Sequence, residues 1–600
     1  MPNSGAEMQM TDRVEALRAR LGVLGVDGFV VPRGDEHQGE YVPANAERLA
    51  WLTGFNGSAG QAIVLATGAA IFIDGRYTLQ VRDQVDTEIF TTRHVTDEPA
   101  DDWIAEHLGQ GGKLGYDPWL HTLDGVKRLR KAAEKAGGEL VALKENPVDA
   151  IWSDRPPPPM EPVVPHPIEY SGEESADKRR RIAESLVSDG QDAVFLSAPD
   201  SIAWLLNIRG SDVPRTPFPL SFAILDKDGS VELFVDEAKL GAETRTHLGN
   251  SVMISPREAL TGVLEKLATS GSRLRIDPAT APSWVFDRFE AEDGAIASAG
   301  DPITLPKACK NEAELAGTRT AHRRDAVAVS RFLHWLQATA ENGSISEMMA
   351  SDRFLAFRDQ GALFRDLSFD TISGSGPNGA IVHYRVTDET SRMLGPGELY
   401  LVDSGAQYLD GTTDITRTVV IGEPSAEARE NFTLVLKGHI ALATAIFPEG
   451  TTGGQLDVLA RAALWRAGRD YDHGTGHGVG SYLSVHEGPQ RISKRGGDAA
   501  LMPGMIISNE PGYYKAGAYG IRIENLLVVR PVEVLGGERP MLEFETITLA
   551  PIDRRLIDLA LLDMGEIEWL DAYHARVRDA LMSELSGENL VWLEQATAPL

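Results

Sequence analysis

The first half of the chain repeats one order of helical and strand patterns. In each copy an amphipathic helix pattern is followed by an apolar run led by an aspartate, which is typical of a buried strand. The matching pieces are Val14-Glu-Ala-Leu-Arg with Lys178-Arg-Arg-Arg-Ile, Asp27-Gly-Phe-Val-Val with Asp192-Ala-Val-Phe-Leu, and Leu49-Ala-Trp-Leu with Ile202-Ala-Trp-Leu. Two further strand patterns follow in each copy, so the sequence predicts a duplicated α/β domain.

An insertion distinguishes the first copy from the second. The segment 33–41, Arg-Gly-Asp-Glu-His-Gln-Gly-Glu-Tyr, lies between the aspartate-led strand and the tryptophan phrase and has no counterpart in the second copy. Because the insertion is polar, we expect it to face a cleft rather than the core.

The last 300 residues show a different order of elements. Helical periodicity covers 312–341 and 346–359, strands separated by Gly, Pro and Asp turns follow, and helices recur near 426–446 and 454–467. Helices grouped apart from hairpins favour an α+β domain over a doubly wound parallel sheet. The last ~45 residues are helical in pattern, which predicts a helical extension at the end of this domain.

Two proline-containing stretches divide the chain. Seven prolines lie within 155–167, Pro167 included, and a weaker break lies at 300–306. A chain of 600 residues also exceeds the ~250–300 residues at which single cores stop growing. We therefore predict α/β domains over 1–160 and 161–305 and an α+β domain over 306–600.

Charge and cysteine content narrow the classes of partner and compartment. The chain has 58 Lys and Arg against 88 Asp and Glu, a net charge of −30 that repels nucleic acid and anionic membranes. Cys309 is the only cysteine, so no internal disulfide can form and a reducing cytoplasm fits. We find no pattern of a signal peptide or of a membrane span, and we expect neither nucleic acid nor membrane as a partner.

A glycine motif at 374–379 matches the dinucleotide-binding fingerprint but predicts no nucleotide site. The fingerprint requires a helix after its glycines, whereas Ala380-Ile-Val-His-Tyr has the pattern of a strand. A glycine turn is the better interpretation.

Acidic and imidazole side chains gather in the strand region of the third segment. Asp403 ends one apolar strand pattern and Asp414 opens the next, which predicts a hairpin with a carboxylate on each strand. His477 lies in a turn with four glycines, Glu510 ends an apolar run, and Glu524 interrupts another. A buried glutamate costs several kcal/mol unless it is paired or bound to a metal.

Two explanations of these five residues remain open from the residues alone. Arg522 and Glu524 are two apart and would face the same side of a strand, so separate salt bridges are one explanation. The other is a metal site, since four carboxylates and one imidazole without a thiolate exceed the needs of one catalytic zinc. Such a set suits two ions such as Mn²⁺, whose chemistry is metal-assisted hydrolysis.

Five ordered motifs resemble the pita-bread metallopeptidases and, within them, the three-domain cytosolic Xaa-Pro aminopeptidases. The motifs are Asp403-Ser-Gly with Thr413-Asp-Ile-Thr-Arg, Gly474-Thr-Gly-His-Gly-Val-Gly, His486-Glu-Gly-Pro, Asn509-Glu-Pro-Gly and Ile521-Arg-Ile-Glu-Asn. The resemblance extends to Gly34-Asp-Glu-His, Asp74-Gly-Arg-Tyr and Ala203-Trp-Leu-Leu, and so covers nearly the whole chain. It implies two creatinase-N-like α/β domains followed by a C-terminal pita-bread α+β catalytic domain.

The resemblance also implies an activity, its metal and a homodimer. Such enzymes hydrolyse the bond between an N-terminal residue and a penultimate proline, using a water that bridges two divalent ions, usually Mn²⁺. The implied ligands are Asp403, Asp414, His477, Glu510 and Glu524.

Further residue roles follow from the same resemblance. Glu510 is also the implied general base, His486 stabilises the oxyanion, and His383 contacts the scissile amide. His473 and Arg76 are implied substrate contacts, Arg76 reaching across a dimer, and Arg522 supports the metal ligands.

One departure from the family pattern is visible, and three other functions stay open. Val386 stands where the family often has proline, close to His383, and this removes no ligand. The alternatives are prolidase action on Xaa-Pro dipeptides, creatinase-like hydrolysis, and an inactive pita-bread module that binds peptides or proteins. Three-domain length argues against prolidase, and the retained ligands argue against creatinase.

Overall fold

The computed structural model describes residues 8–600, which form two compact units. The first unit comprises 8–166, 173–214 and 218–303, and the second comprises 167–172, 215–217 and 304–600. No helix within 8–600 has the length and apolar composition needed to cross a membrane.

The first unit contains two six-stranded sheets with the same topology. In hydrogen-bonded order the first consists of Thr91–His94, Ala69–Ile73, Gln61–Leu65, Gly28–Pro32, Lys113–Tyr116 and Glu139–Ala142. The second consists of Val252–Ser255, Val231–Phe234, Phe222–Asp226, Ala193–Leu196, Arg273–Ile276 and Ala295–Ser298. Both sheets pair their neighbours in the order parallel, antiparallel, antiparallel, parallel, parallel. The predicted duplication is confirmed.

Helices cover the sheets of the first unit with apolar faces. Val14, Leu17 and Leu21 of the opening helix are buried in one cluster with alternate residues of the central strands. The helices are Met10–Leu24, Arg48–Thr53, Gln80–Gln84, Ala100–His107, Leu123–Lys135, Pro147–Ile151, Ser175–Ser188, Pro199–Leu206, Ala242–Leu248, Leu260–Thr269 and Ser283–Glu290.

The inserted segment 33–41 faces a cleft, as expected from its polarity. Asp35, Glu36 and His37 line a cavity of about 830 Å³ within the first unit. The ring of His37 stacks on Phe222, with centroids 4.4 Å apart.

The second unit is built on antiparallel strands. Its largest sheet runs Ile446–Pro448, Met541–Thr546, Asn525–Val532, Ile506–Asn509, Gly476–Gly478 and Glu487–Ile492. Two three-stranded sheets are Ile372–Ser375, Leu399–Ser404 and Ile415–Val420, and Phe364–Leu367, Ala406–Tyr408 and Gly411–Thr412. Gly512–Lys515 pairs with Tyr519–Arg522.

Long helices pack against these strands. They are Glu312–Thr339, Glu347–Arg358, Ala426–Ala443, Gly453–Arg466, Met564–Leu581 and Glu588–Ala596, with shorter Ile168–Ser171 and Thr304–Ala308. The side chain of Asn311 caps the longest helix by accepting hydrogen bonds from two backbone N–H groups, and the backbone N–H of Asn311 donates to the carboxylate of Glu314. The predicted α+β class and its terminal helices are confirmed.

Two strand predictions in this unit are wrong. We expected a strand over 380–384. Residues 376–380 instead form a 3₁₀ turn, and a loop that contains His383 follows it. The apolar run 521–529 is two strands rather than one, because it breaks at Ile523 and Glu524. In both places hydrophobicity reflects burial in an irregular segment, which periodicity cannot distinguish from a short strand.

Candidate metal centre

Antiparallel pairing brings Asp403 and Asp414 close together. Asp403 lies in the strand Leu399–Ser404 opposite Thr416, and Asp414 directly precedes the partner strand Ile415–Val420. The connection between them folds into its own small hairpin, in which Gln407 pairs with Thr412. Both carboxylates are buried, which agrees with the predicted hairpin.

The large sheet and its neighbour supply the other three predicted ligands. His477 is the middle residue of the strand Gly476–Gly478, and Glu510 follows the strand Ile506–Asn509. A Cβ at Gly476 would lie 2.0 Å from the Ser508 carbonyl oxygen, so only glycine allows this close backbone approach beside His477. Glu524 occupies the break between two strands.

These side chains converge on one point. The Nε2 atom of His477 lies 3.5 Å from Oδ2 of Asp414 and 3.4 Å from Oε1 of Glu510. Ligand atoms of Asp414, His477 and Glu524 all lie within 4.8 Å of one another. Nδ1 of His477 is 2.9 Å from the Gly478 carbonyl oxygen, which can only accept, so Nδ1 carries a proton and Nε2 faces the carboxylates.

The electrostatics of the cluster favour added positive charge. Burial raises the pKa of Asp403 to about 6; Arg522 opposes this rise, whereas Asp414 and Glu510 add to it. Burial, then Asp414, raises the pKa of Glu524 well above its usual value. Burial alone would lower the pKa of His477, but hydrogen bonding to Asp414 and the charge of Glu510 raise it to about 9.

The donor set fits divalent cations. Oδ1 of Asp403 and Oδ1 of Asp414 are buried and have no hydrogen-bond partner in the part of the chain described. Buried carboxylate oxygens are costly when unsatisfied, and cations satisfy them. Four carboxylates and an imidazole without thiolate are the ligands of hard and borderline ions.

Arg522 pairs with Asp403 and not with Glu524. Its Nη2 donates to Oδ2 of Asp403 at 2.6 Å, and its Nε donates to the Thr416 hydroxyl at 3.1 Å. The same hydroxyl donates to Oε2 of Glu524 at 2.8 Å. The Arg522–Glu524 salt bridge considered from the sequence is not formed: Arg522 pairs with Asp403, and the Thr416 hydroxyl lies between Arg522 and Glu524.

Tyr514 joins this network, although its sequence pattern gave no sign of it. Its hydroxyl accepts from Nη1 of Arg522 at 2.6 Å and lies 2.8 Å from Nε2 of His473. Nδ1 of His473 lies 3.8 Å from Oε2 of Glu510. Tyr513 and Tyr514 both follow the Asn509-Glu-Pro-Gly motif, and nothing in the sequence distinguishes them; the fold places Tyr514 in the network.

The remaining candidates lie at different distances from the cluster. The rings of His486 and His477 are edge to face with centroids 4.3 Å apart. His383 follows Val382, whose carbonyl oxygen accepts from Arg522 at 3.4 Å, so the loop of His383 borders the cluster. Arg76 belongs to the first unit, where it pairs with Asp74 at 2.8 Å.

We expect metal binding to weaken as the pH falls below about 9, and further as it falls through about 6. Cations need a neutral imidazole and ionised carboxylates, and the raised pKa values of His477 and Asp403 let protons compete for these ligands up to about pH 9 and about pH 6. The raised pKa values also mean that Asp403 and Glu524 keep protons in the folded metal-free protein at pH values where the unfolded chain has lost them. The free energy of unfolding of the metal-free protein should therefore fall as the pH rises above about 4. Calorimetric titration with Mn²⁺ in two buffers of different ionisation enthalpy should show proton release. Affinity that is unchanged between pH 5 and 8 would contradict this.

Comparison with known protein families gives matches along the whole chain. Residues 316–531 match metallopeptidase family M24, and 540–600 match the C-terminal region of that peptidase. Residues 13–151 and 154–314 each match the creatinase/prolidase N-terminal domain.

Individual relatives agree with the family matches. The chain is 42% identical to Aminopeptidase P2 of Arabidopsis thaliana over 96% of this chain and 86% of that one. It is 40% identical to a probable Xaa-Pro aminopeptidase P of Paracoccidioides brasiliensis over 98% and 99%. The crystal structure of X-prolyl aminopeptidase from Caenorhabditis elegans, a cytosolic enzyme with a di-nuclear active site, superposes with a TM-score of 0.94 at 34% identity. That match covers 99% of this chain and 100% of the other.

Proposed function

This chain belongs to metallopeptidase family M24, and we propose that it is an aminopeptidase that removes the N-terminal residue from peptides with proline in second place. The observation that carries the proposal is the convergence of Asp414, His477, Glu510 and Glu524 beside the buried Asp403, a set of side chains that suits two divalent cations. Relatives named as aminopeptidases P match over nearly the full length, including both N-terminal domains. No observation favours dipeptidase action, creatinase-like hydrolysis or an inactive binding module.

We propose that these five side chains would hold two divalent cations, and that these are Mn²⁺. When bound, such ions supply an activated water and Lewis-acid polarisation of the scissile carbonyl. The neutral imidazole of His477, with its proton on Nδ1, would offer Nε2 as a ligand. Arg522 keeps Asp403 oriented and ionised through its 2.6 Å hydrogen bond.

The side chains around the metal ligands can accept, hold and transfer protons. Glu510 would be the general base, and the Ser508 hydroxyl, which donates to its Oε1 at 3.0 Å, fixes its carboxylate. His486 would stabilise the oxyanion, and His383 would contact the scissile amide. His473, oriented by Tyr514, would line the side that receives proline.

A penultimate proline explains why a dedicated site is needed. The bond to be cleaved is a tertiary amide, which has no N–H to donate and carries a ring on the leaving side. A site for this amide must recognise it without a hydrogen bond from its nitrogen. Imidazole and tyrosine side chains around the cluster provide flat walls suited to a ring.

The assembly and location are part of the same proposal. We infer a cytoplasmic homodimer in which Arg76 reaches the substrate bound by the partner subunit. The single cysteine and the relative described as a cytosolic enzyme support the location.

The activity can be tested with metal-stripped protein. Addition of Mn²⁺ should restore release of the free N-terminal amino acid from an Xaa-Pro-Pro tripeptide, because the ligand set lacks its cations until then. An Xaa-Ala-Pro peptide is the matched control and should be cleaved much more slowly. No release from either peptide by protein shown to hold metal would overturn the proposal, and release from an Xaa-Pro dipeptide alone would indicate a dipeptidase.

A further inference from the structure

A buried ion pair lies directly behind the two aspartate ligands. Arg358, at the end of the helix Glu347–Arg358, is fully buried, and Asp325 of the helix Glu312–Thr339 is 3% exposed. Nε of Arg358 donates to Oδ1 of Asp325 at 2.8 Å, and Nη2 donates to Oδ2 at 3.0 Å. This bidentate geometry fixes the two groups relative to each other.

The arginine side of the pair holds the chain just after Asp403. Arg358 donates to the Ser404 hydroxyl and carbonyl oxygen, the latter at 3.2 Å, and to the Gly405 carbonyl oxygen at 3.1 Å. The Ser404 hydroxyl also lies 2.8 Å from the hydroxyl of Thr371. A Cβ at Gly405 would lie 2.0 Å from the Thr413 carbonyl oxygen, so the two ends of the connection are in close contact.

The aspartate side of the pair holds the chain just before Asp414. The Thr413 hydroxyl donates to Oδ2 of Asp325 at 3.1 Å and accepts from the Ala406 backbone N–H at 3.0 Å. The Tyr408 hydroxyl donates to Oδ1 of Asp325 at 3.0 Å. Burial, with the Asp325 charge, raises the pKa of Tyr408 well above 10, so its proton remains available to donate.

We propose that Asp325 and Arg358 are positioning residues that set the separation of Asp403 and Asp414 for metal binding. This one ion pair bonds to both ends of the connection 404–413. Arg358 binds Ser404, which directly follows Asp403, and Asp325 binds Thr413, which directly precedes Asp414. The inference rests on the proposed function, because it gives the two aspartates their role as ligands. Support behind metal ligands commonly changes affinity or activity 10–100-fold when removed.

Single hydroxyl deletions test this proposal without removing the buried charges. Thr413→Val and Tyr408→Phe each take one donor from Asp325 and keep nearly the same shape. Thr413→Ser restores the hydroxyl. Thr412→Val is the matched control, because the buried Thr412 hydroxyl donates to Oε1 of Gln407 at 2.8 Å and has no hydrogen bond to the ion pair.

The measurements are Mn²⁺ affinity by calorimetry, the spin-coupled Mn²⁺ electron paramagnetic resonance spectrum, and kcat and KM. We expect Thr413→Val and Tyr408→Phe to bind Mn²⁺ about 10-fold or more weakly and to lose kcat with little change in KM. Their spin-coupled spectrum should change, while Thr413→Ser and Thr412→Val stay within about threefold of the wild type. A purely structural role would lower stability without altering the spectrum or the affinity.

Different failures point to different errors. Suppose that the wild type binds Mn²⁺ but Thr413→Val and Tyr408→Phe have the same Mn²⁺ affinity and the same spectrum as Thr412→Val. That result would overturn this inference and leave the proposed function standing. A wild type that binds no Mn²⁺ would overturn the proposed function on which it rests. If Thr413→Val fails to fold, Tyr408→Phe compared with the wild type decides the outcome.

Discussion

Asp414→Asn and Glu524→Gln should each abolish turnover while leaving the fold intact. Each change keeps the size of the side chain but removes the negative charge that a cation requires, so kcat should fall about 10³-fold or more. Burial and three neighbouring carboxylates already raise the pKa of Glu524, so neutralising this group relieves repulsion. The metal-free Glu524→Gln variant should therefore be at least as stable as the metal-free wild type.

Three measurements check this result. They are kcat on an Xaa-Pro-Pro peptide, bound metal per chain, and the thermal midpoint of the metal-free protein. Glu398→Gln is the matched control, because Glu398 in the same unit pairs with Arg392 at 2.8 Å away from the ligand set. Its turnover should stay within about twofold of the wild type. Near-normal turnover in either ligand variant would refute the dinuclear assignment.

Arg358→Met should destabilise the second unit by about 3–5 kcal/mol, because it leaves the Asp325 carboxylate buried without its counter-ion. Among residues 8–600, the hydroxyls of Tyr408 and Thr413 would be the side-chain donors left to that carboxylate. Pulse proteolysis in urea, followed by mass spectrometry of fragments from 304–600, measures the loss in this unit rather than in the whole chain.

An exposed arginine on a neighbouring surface is the control for Arg358. Arg319 makes a similar bidentate pair with Glu545, at 2.9 and 2.8 Å, but its side chain is 42% exposed. Arg319→Met should therefore cost no more than about 1 kcal/mol. Adding Asp325→Leu to Arg358→Met should recover part of the stability, since the uncompensated charge is then gone. Equal losses in the two arginine variants would show that burial of the pair does not matter.

Periodicity and motif order predicted the coarse features well. The duplicated α/β pattern, the helix Glu312–Thr339 and the hairpin of Asp403 and Asp414 follow from spacing that local residues impose. The strand predictions from periodicity failed at 380–384 and at Glu524, where apolar residues lie on irregular backbone. Apolar character records that a segment is buried, and a segment of five residues is too short to show how its backbone is paired.

The sequence by itself determined which side chains are available for chemistry, since the ligand types, their order and their glycine-rich surroundings are all local features. Only the tertiary structure decided their partners. Arg522 binds Asp403 rather than Glu524 two residues away, and Tyr514 rather than Tyr513 contacts His473. Asp325 and Arg358 carried no motif, yet they hold both ends of the connection between the aspartates. The physical reason is that hydrogen bonds and ion pairs depend on distances of about 3 Å between residues remote in sequence, which no local pattern encodes.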